Sequence, residues 1–475
     1  MTEFLDWSAQ AQCEALRSGA LSAQTLMSAT LDRIDARNGA VNAIVDLHGA
    51  ETLMAQARAA DAAPPDRRAP LHGLPIAVKA LAHVSGTRNT EGSPLFSERI
   101  SQSDSAFVAR LRAAGAIFIG KTNVPEFGLG SHSYNPVHGV TRNPYAADRT
   151  AGGSSGGAGA ALACGMVALA DGSDMMGSLR NPAGWNNVYG FRPSWGVVPR
   201  EAGGETFWQQ LSTIGPMARS PGDIALMMQV LAAPDPRVPF NMPPQDWALP
   251  GTGDLDGLRI GWLGDWEGAM PTEPGILDLC RGALDKCSDL GAKVTPVAAP
   301  FDAEALFWSW TDLRAFALSA ELAPLFNDPA RRARLKPEAQ WEVARGLSLS
   351  TSALHAACAT RSAWFTCAAD LFGSVDVLAL PVAQCWPFPA SWDWPDKING
   401  NAMDTYHRWM QVMVPVSLIG LPAISVPVGF GANGLPMGVQ LFAAKGQDAR
   451  LLQVADAYHR VTRWPQNHPP HMRKA

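Results

Sequence analysis

GLPIAVKA, residues 73–80, carries a short apolar run, Pro75 to Val78, straight into a lysine. A run of this length next to a glycine reads as a buried strand. The same kind of run recurs at AIFI (116–119), LRIGWL (258–263), DVLAL (376–380), AISVPV (423–428) and MGVQLF (437–442). Helical periodicity fills the stretches between them. In LSAQTLMSATLDRIDARNG (21–39), Leu26, Met27, Thr30, Leu31 and Ile34 share one face. Ser22 is placed to cap that helix and Asn38–Gly39 to stop it. Alternation of buried strands with helices predicts an α/β protein with a mostly buried sheet.

The chain has 475 residues, 47% hydrophobic and 17% charged, with a formal net charge of −5, enough to bury a large core. A mildly acidic balance without basic clusters argues against nucleic acid or a membrane surface as partner. The opening MTEFLDWSAQ lacks the basic start and apolar stretch of a signal peptide, and no window approaches a membrane span. Seven scattered cysteines form no C-x-x-C pair, and Cys280 and Cys287 read as one buried helix face. A cytoplasmic protein with reduced thiols and no metal site or cofactor is the expectation. The Pro- and Gly-rich stretch Pro234–Gly257 reads either as a domain boundary or as a long surface connection.

AGGSSGG, residues 151–157, sets two serines among four glycines. Bare backbone of this kind suits a linker, a phosphate cradle or a nucleophile. Two motif matches fail on context. GAIFIGKT (115–122) fits the phosphate-loop pattern, but Ala116 to Ile119 belong in a strand and not an open loop. GSSGG fits the nucleophile elbow with Ser155 at its centre, yet RNPYAADRTAG before it makes no buried strand. His355 and His407 lie downstream, and a lone histidine is more often structural.

A third serine, Ser178, follows in ALADGSDMMGSLRNPAG, again beside glycine. A lysine closing an apolar run, as Lys79 does, usually snorkels to the surface. Here it does not stand alone. The lysine-bearing strand, GKTNVPEFGLGS (120–131), TRNPYAADRTAGGSSGG (141–157) and GSDMMGSLRNPAG (172–184) follow in an order and spacing that resemble the amidase signature family. GLPAISVPVGFGANGLPMGVQLFAAKGQDARLLQVA (420–455) resembles that family's closing strands and helix. The likeness is strong over about 71–230, good over 376–455 and weak over 260–370.

The resemblance implies a mixed sheet covered by helices on both faces, in a single domain spanning 1–475. An N-terminal helical segment (1–70) leads into the catalytic core (71–230), an insertion (231–375) and the C-terminal part of the sheet (376–475). It also implies a triad: Ser178 as nucleophile, Ser154 as bridging serine on a cis peptide, and Lys79 as base. The chemistry is coherent without the family name. A serine hydroxyl needs a positioned base, and lysine serves only when neutral, as burial makes it. By the same resemblance, the N–H groups of Met175, Met176, Gly177 and Ser178 face the oxyanion. Asp174 and Arg180 hold the turn, and Ser155 joins the network. Two positions depart from the family: Met176 stands where glycine is common, and Ala80 where an acidic residue is usual. The methionine is expected to shape the acyl side of the pocket.

Leu129, Gly130 and Ser131 match the segment that borders the substrate. Trp386, Trp392, Trp394 and Trp409 crowd CWPFPASWDWPDKINGNAMDTYHRWM (385–410), in a chain with sixteen tryptophans. Core packing is the plain reading. Lining of an apolar acyl or aryl pocket is the functional one. The activity implied is hydrolysis of a small hydrophobic, aryl or oligomeric carboxylic amide through an acyl-enzyme, extending to carbamates, esters and lactam-type amides. The protein is then a monomer or homodimer. The alternatives are the glutaminase component of a tRNA-dependent amidotransferase and a non-catalytic α/β binding module.

Overall fold

The computed structural model describes residues 3–200, 205–208, 210–249, 251 and 253–471. Met1 and Thr2 of the opening stretch, residues 250 and 252 of the Pro234–Gly257 connection, and the C-terminal residues 472–475 lie outside them.

Each apolar run singled out above forms a strand. Pro75–Lys79 pairs in parallel with Ile117–Thr122, placing Lys79 opposite Thr122, and Ile44–Val45 adds to the far edge of Ile117–Thr122. The six residues of Ile117–Thr122 are all buried, so GAIFIGKT is a core strand with no open loop. A second, mixed sheet of eight strands runs in the order Lys293–Pro296, Arg259–Trp262, Val377–Pro381, Pro436–Ala443, Ala423–Phe430, Tyr189–Arg192, Thr213–Ala218 and Leu169–Asp174. Its first three strands are parallel and the remaining pairings antiparallel. Every residue of Pro436–Ala443 is buried. Successive strand residues point to opposite faces, so both faces of the sheet's centre are covered. The helices Arg180–Trp185, Ile276–Asp289 and Asp448–Thr462 pack there. The strands on either side of the Pro234–Gly257 connection, Thr213–Ala218 and Arg259–Trp262, belong to this one sheet.

The seam between the two sheets positions the site. Leu169–Asp174 is the edge of the large sheet, and Asp171 accepts the Lys79 backbone N–H at 3.1 and 3.3 Å. The end of the lysine strand is thereby fixed against the start of the serine turn.

One boundary differs from expectation. Ser22 caps the second helix through the Thr25 N–H, but Asn38–Gly39 does not end it; the helix continues to Val41. Asn38 Oδ1 instead accepts the N–H groups of Ala43 and Ile44 (2.9 and 2.8 Å), bracing the turn beyond the helix. Asn42, in the left-handed region at φ 51°, makes the stop.

Candidate active site

Lys79 ends its strand inside the protein, 2% exposed, so its side chain does not snorkel to the surface. Its Nζ lies 2.8 Å from Ser154 Oγ, 2.8 Å from Ser155 Oγ and 2.9 Å from Ser173 Oγ. Burial pulls its pKa down to about 7, against the opposing pull of the Asp171 and Asp174 carboxylates. A neutral amine so placed has a lone pair to offer a hydroxyl proton.

The glycine-rich stretch brings Ser154 to that amine. The peptide bond from Gly153 to Ser154 is cis. Bare backbone is required where the following helix, Gly156–Ala163, packs on its neighbours. A Cβ on Gly157 would stand 2.3 Å from the Asn123 nitrogen. Ser154 and Ser178 both line an open cleft of about 710 Å³. No hydrogen bond joins these two hydroxyls among the described residues. Ser155, the centre of the elbow pattern, points its hydroxyl to Lys79. The two downstream histidines serve neither serine: His355 is exposed, and His407 binds Glu342.

The turn that carries Ser178 is built on one buried carboxylate. Asp174 accepts the Gly177 N–H (2.8 Å), the Leu179 N–H (3.2 Å) and the Arg180 guanidinium (2.9 Å twice). It also pairs with Arg192 at 3.1 Å. Burial acts to raise its pKa, but Arg180 and Arg192 hold it well below the usual carboxylate range. Arg180 then reaches Gln440 Oε1 (2.5 Å) and Ser417 Oγ (2.7 Å). Gln440 in turn donates to the carbonyls of Pro381 and Val412, both at 3.0 Å.

Here the expectation for the oxyanion donors is corrected. The Gly177 N–H is committed to Asp174, so it does not face the cleft. Gly177 is needed for shape instead. Its φ is +86°, and a Cβ there would stand 2.5 Å from Met413 Cγ. Met175, Met176 and Ser178 do line the cleft.

Leu129, Gly130 and Ser131 form one wall of the cleft. The opposite wall comes from the weakly matched middle of the chain. Trp310, Arg314, Leu318 and Glu321 project from the helix Ala303–Phe326 at helical spacing. The spacing of these four side chains is the sequence signal that marks this face. Trp310 Nε1 donates to the Met175 carbonyl (3.3 Å) and Arg314 Nη1 lies 2.8 Å from Met175 Sδ, so this helix braces the serine turn. Behind it, buried Glu342 accepts from Arg314 Nε (2.6 Å), His407 Nε2 (2.8 Å) and the Tyr406 hydroxyl. Ser173 and Asp171, which hold the side chain and backbone of Lys79, were likewise not singled out.

The tryptophans of 385–410 are a second correction, since none of the four lines the cleft. Trp409 is buried and stacks on Trp185 with ring centroids 5.8 Å apart. Trp386 donates to the Pro274 carbonyl at 3.2 Å, Trp394 packs on the main core, and Trp392 stacks on Phe388 at the surface. Phe388, itself in T-shaped contact with Trp185 and Trp409, draws the loop into a separate aromatic cluster. The cleft takes its indole from Trp310.

None of the seven cysteines forms a disulfide, and Cys280 and Cys287 are both buried in the helix Ile276–Asp289. Among the described residues no helix is long and apolar enough to cross a membrane, and no His, Cys, Asp or Glu group is placed to hold a metal ion.

A family model described as Amidase matches residues 25–452. The A component of the glutamyl-tRNA(Gln) amidotransferase of Chloroflexus aurantiacus is 35% identical, with 99% of each chain covered. An acylamidase of Rhodococcus erythropolis is 31% identical, with 98% of each covered. The crystal structure of a bacterial aryl acylamidase superposes with a TM-score of 0.91 at 27% identity, over 98% of this chain and 99% of that one.

Proposed function

Since the chain belongs to the amidase signature family, whose members are C–N hydrolases, we propose that it hydrolyses a small carboxylic amide through an acyl-enzyme on Ser178. The observation that carries this reading is the buried, down-shifted amine of Lys79 at 2.8 Å from Ser154 Oγ. Neutral Lys79 takes the Ser154 proton while Ser154 takes that of Ser178, and Ser178 Oγ adds to the amide carbonyl. A hydroxyl can relay in this way because it both donates and accepts. The N–H groups of Met175, Met176 and Ser178 receive the developing oxyanion; each such donor is worth about 3–4 kcal/mol of barrier. The proton returns from Lys79 through Ser154 to the leaving nitrogen, and water then discharges the ester.

Leu129, Met176, Trp310, Leu318 and Met410 give a cleft that also carries Arg314 and Glu321 an apolar portion, which suits the hydrophobic or aryl part of an amide. Carbamates and esters share the carbonyl geometry and belong to the same screen. A fluorophosphonate should label Ser178, and Ser178→Ala should lose both labelling and amide turnover. Labelling at Ser155 would overturn the assignment.

The 35% identity to that amidotransferase component supports a second reading, a glutaminase acting within a complex. Comparing glutamine with an aryl amide, using the isolated chain, separates the two.

A further inference from the structure

A second cavity, about 580 Å³, lies behind Lys79. Lys79, Asp171, Ser105 and Thr213 line it, and Ser154 and Ser178 do not. It meets the front cleft at Leu81, Ser173, Arg200 and Ser212, which line both. Ile214, which lines this cavity and not the front cleft, is half-buried, so the lining reaches toward the surface there.

We propose that this rear cavity admits the water that discharges the acyl-enzyme. The inference rests on the serine amidohydrolase reading and adds a route to it. Once Ser178 is acylated, the acyl group occupies the front cleft. A water entering from behind comes in past Lys79, the base that must deprotonate it, and passes Ser173, whose hydroxyl already bonds that amine at 2.9 Å. The hydroxyls and charged groups of the lining supply the several polar partners an ordered water needs. In the step itself the water oxygen forms a C–O bond to the acyl carbon and the C–O bond to Ser178 breaks. One water proton passes through Lys79 and Ser154 to Ser178 Oγ, and the other remains on the acid product.

Filling the rear cavity tests this. Ile214→Trp and, from the facing side, Ala82→Leu alter residues that line only the rear cavity. Acylation and deacylation are followed separately with a 4-nitrophenyl ester and an aryl amide, by product burst and by intact-protein mass of acyl-Ser178. Fluorophosphonate labelling of Ser178 reports that the front cleft is still folded. The expected result is deacylation slowed about tenfold or more, with acyl-Ser178 accumulating and acylation changed about twofold or less. Deacylation unchanged in both filled variants, or both steps falling together, overturns the rear route and leaves the amidase reading standing. A wild-type protein that forms no acyl-Ser178 removes that reading, and the rear route with it.

Discussion

The Gly177 amide donates to Asp174 Oδ1 at 2.8 Å, so the turn that presents Ser178 hangs from a carboxylate three residues upstream. That carboxylate also pairs with both Arg180 and Arg192, all three side chains being wholly buried.

Asp174→Ala leaves two buried guanidiniums without their carboxylate, a loss of about 3–5 kcal/mol. Equilibrium unfolding in denaturant should show it as a lowered midpoint. The pH dependence has a definite sign. A carboxyl depressed in the folded state stabilises above its unfolded pKa of about 4 and loses that contribution as pH falls below it. Wild-type stability should therefore fall in that acid range, and the variant should lack that part of the fall.

Lys79 has the opposite linkage. Its folded pKa is lowered to about 7, so the buried ammonium costs stability fully below about 7, and the cost fades as pH rises toward the unfolded value of about 10. Lys79→Met should raise the unfolding midpoint, by more at pH 6 than at pH 9, while amide turnover drops by several orders of magnitude. In the wild type, kcat/KM should climb through about pH 7 and level off, because acylation needs the neutral amine. Lys79→Arg should restore nothing, since guanidinium stays charged.

Met176 is 4% exposed and faces the same cleft as Ser178. Met176→Gly should keep fluorophosphonate labelling and change the kcat/KM ratio for a bulky and a small acyl amide sharing one leaving group. A change equivalent to about 1–3 kcal/mol is the scale expected for a reshaped apolar pocket. Both rates moving together would make the methionine mere packing.

Trp409→Ala should cost about 3–5 kcal/mol by opening the stack on Trp185, with the acyl-group preference of the remaining folded enzyme unaltered. Trp392 is 47% exposed, and its alanine variant should stay within about 0.5 kcal/mol of wild type. A shift of substrate preference in either variant would return this loop to the binding surface.

Sequence reading succeeded where chemistry is written locally. PIAVK, AIFI and MGVQLF each declare a strand by length and apolarity, and the serine–glycine blocks declare an unusual backbone. It failed where partners are distant or where one residue type has two uses. Asp171 lies 92 positions from the backbone N–H it accepts, and on its own it looks like a charge ending an apolar run. Trp310, Arg314 and Leu318 share a helix face, but only the fold shows that the face looks onto Met175. Composition marks the tryptophans of 385–410 as crowded without saying that Phe388 gathers them away from the cleft. Four consecutive amides suggest four oxyanion donors until the Asp174 side chain turns back and takes one.

Gln440 lies 260 positions beyond Arg180, and the bond between them couples the serine turn to Pro436–Ala443, the last strand among the described residues. During synthesis at about 5–20 residues per second, the ribosome releases the serines many seconds before it releases that glutamine. Until then Arg180 lacks one of the partners that fix its guanidinium, and the turn lacks its tie to the strand Pro436–Ala443. A chain truncated before Gln440 therefore holds Lys79, Ser154 and Ser178 without this tie, and on the proposed mechanism its Ser178 should take a fluorophosphonate more slowly than in the full chain.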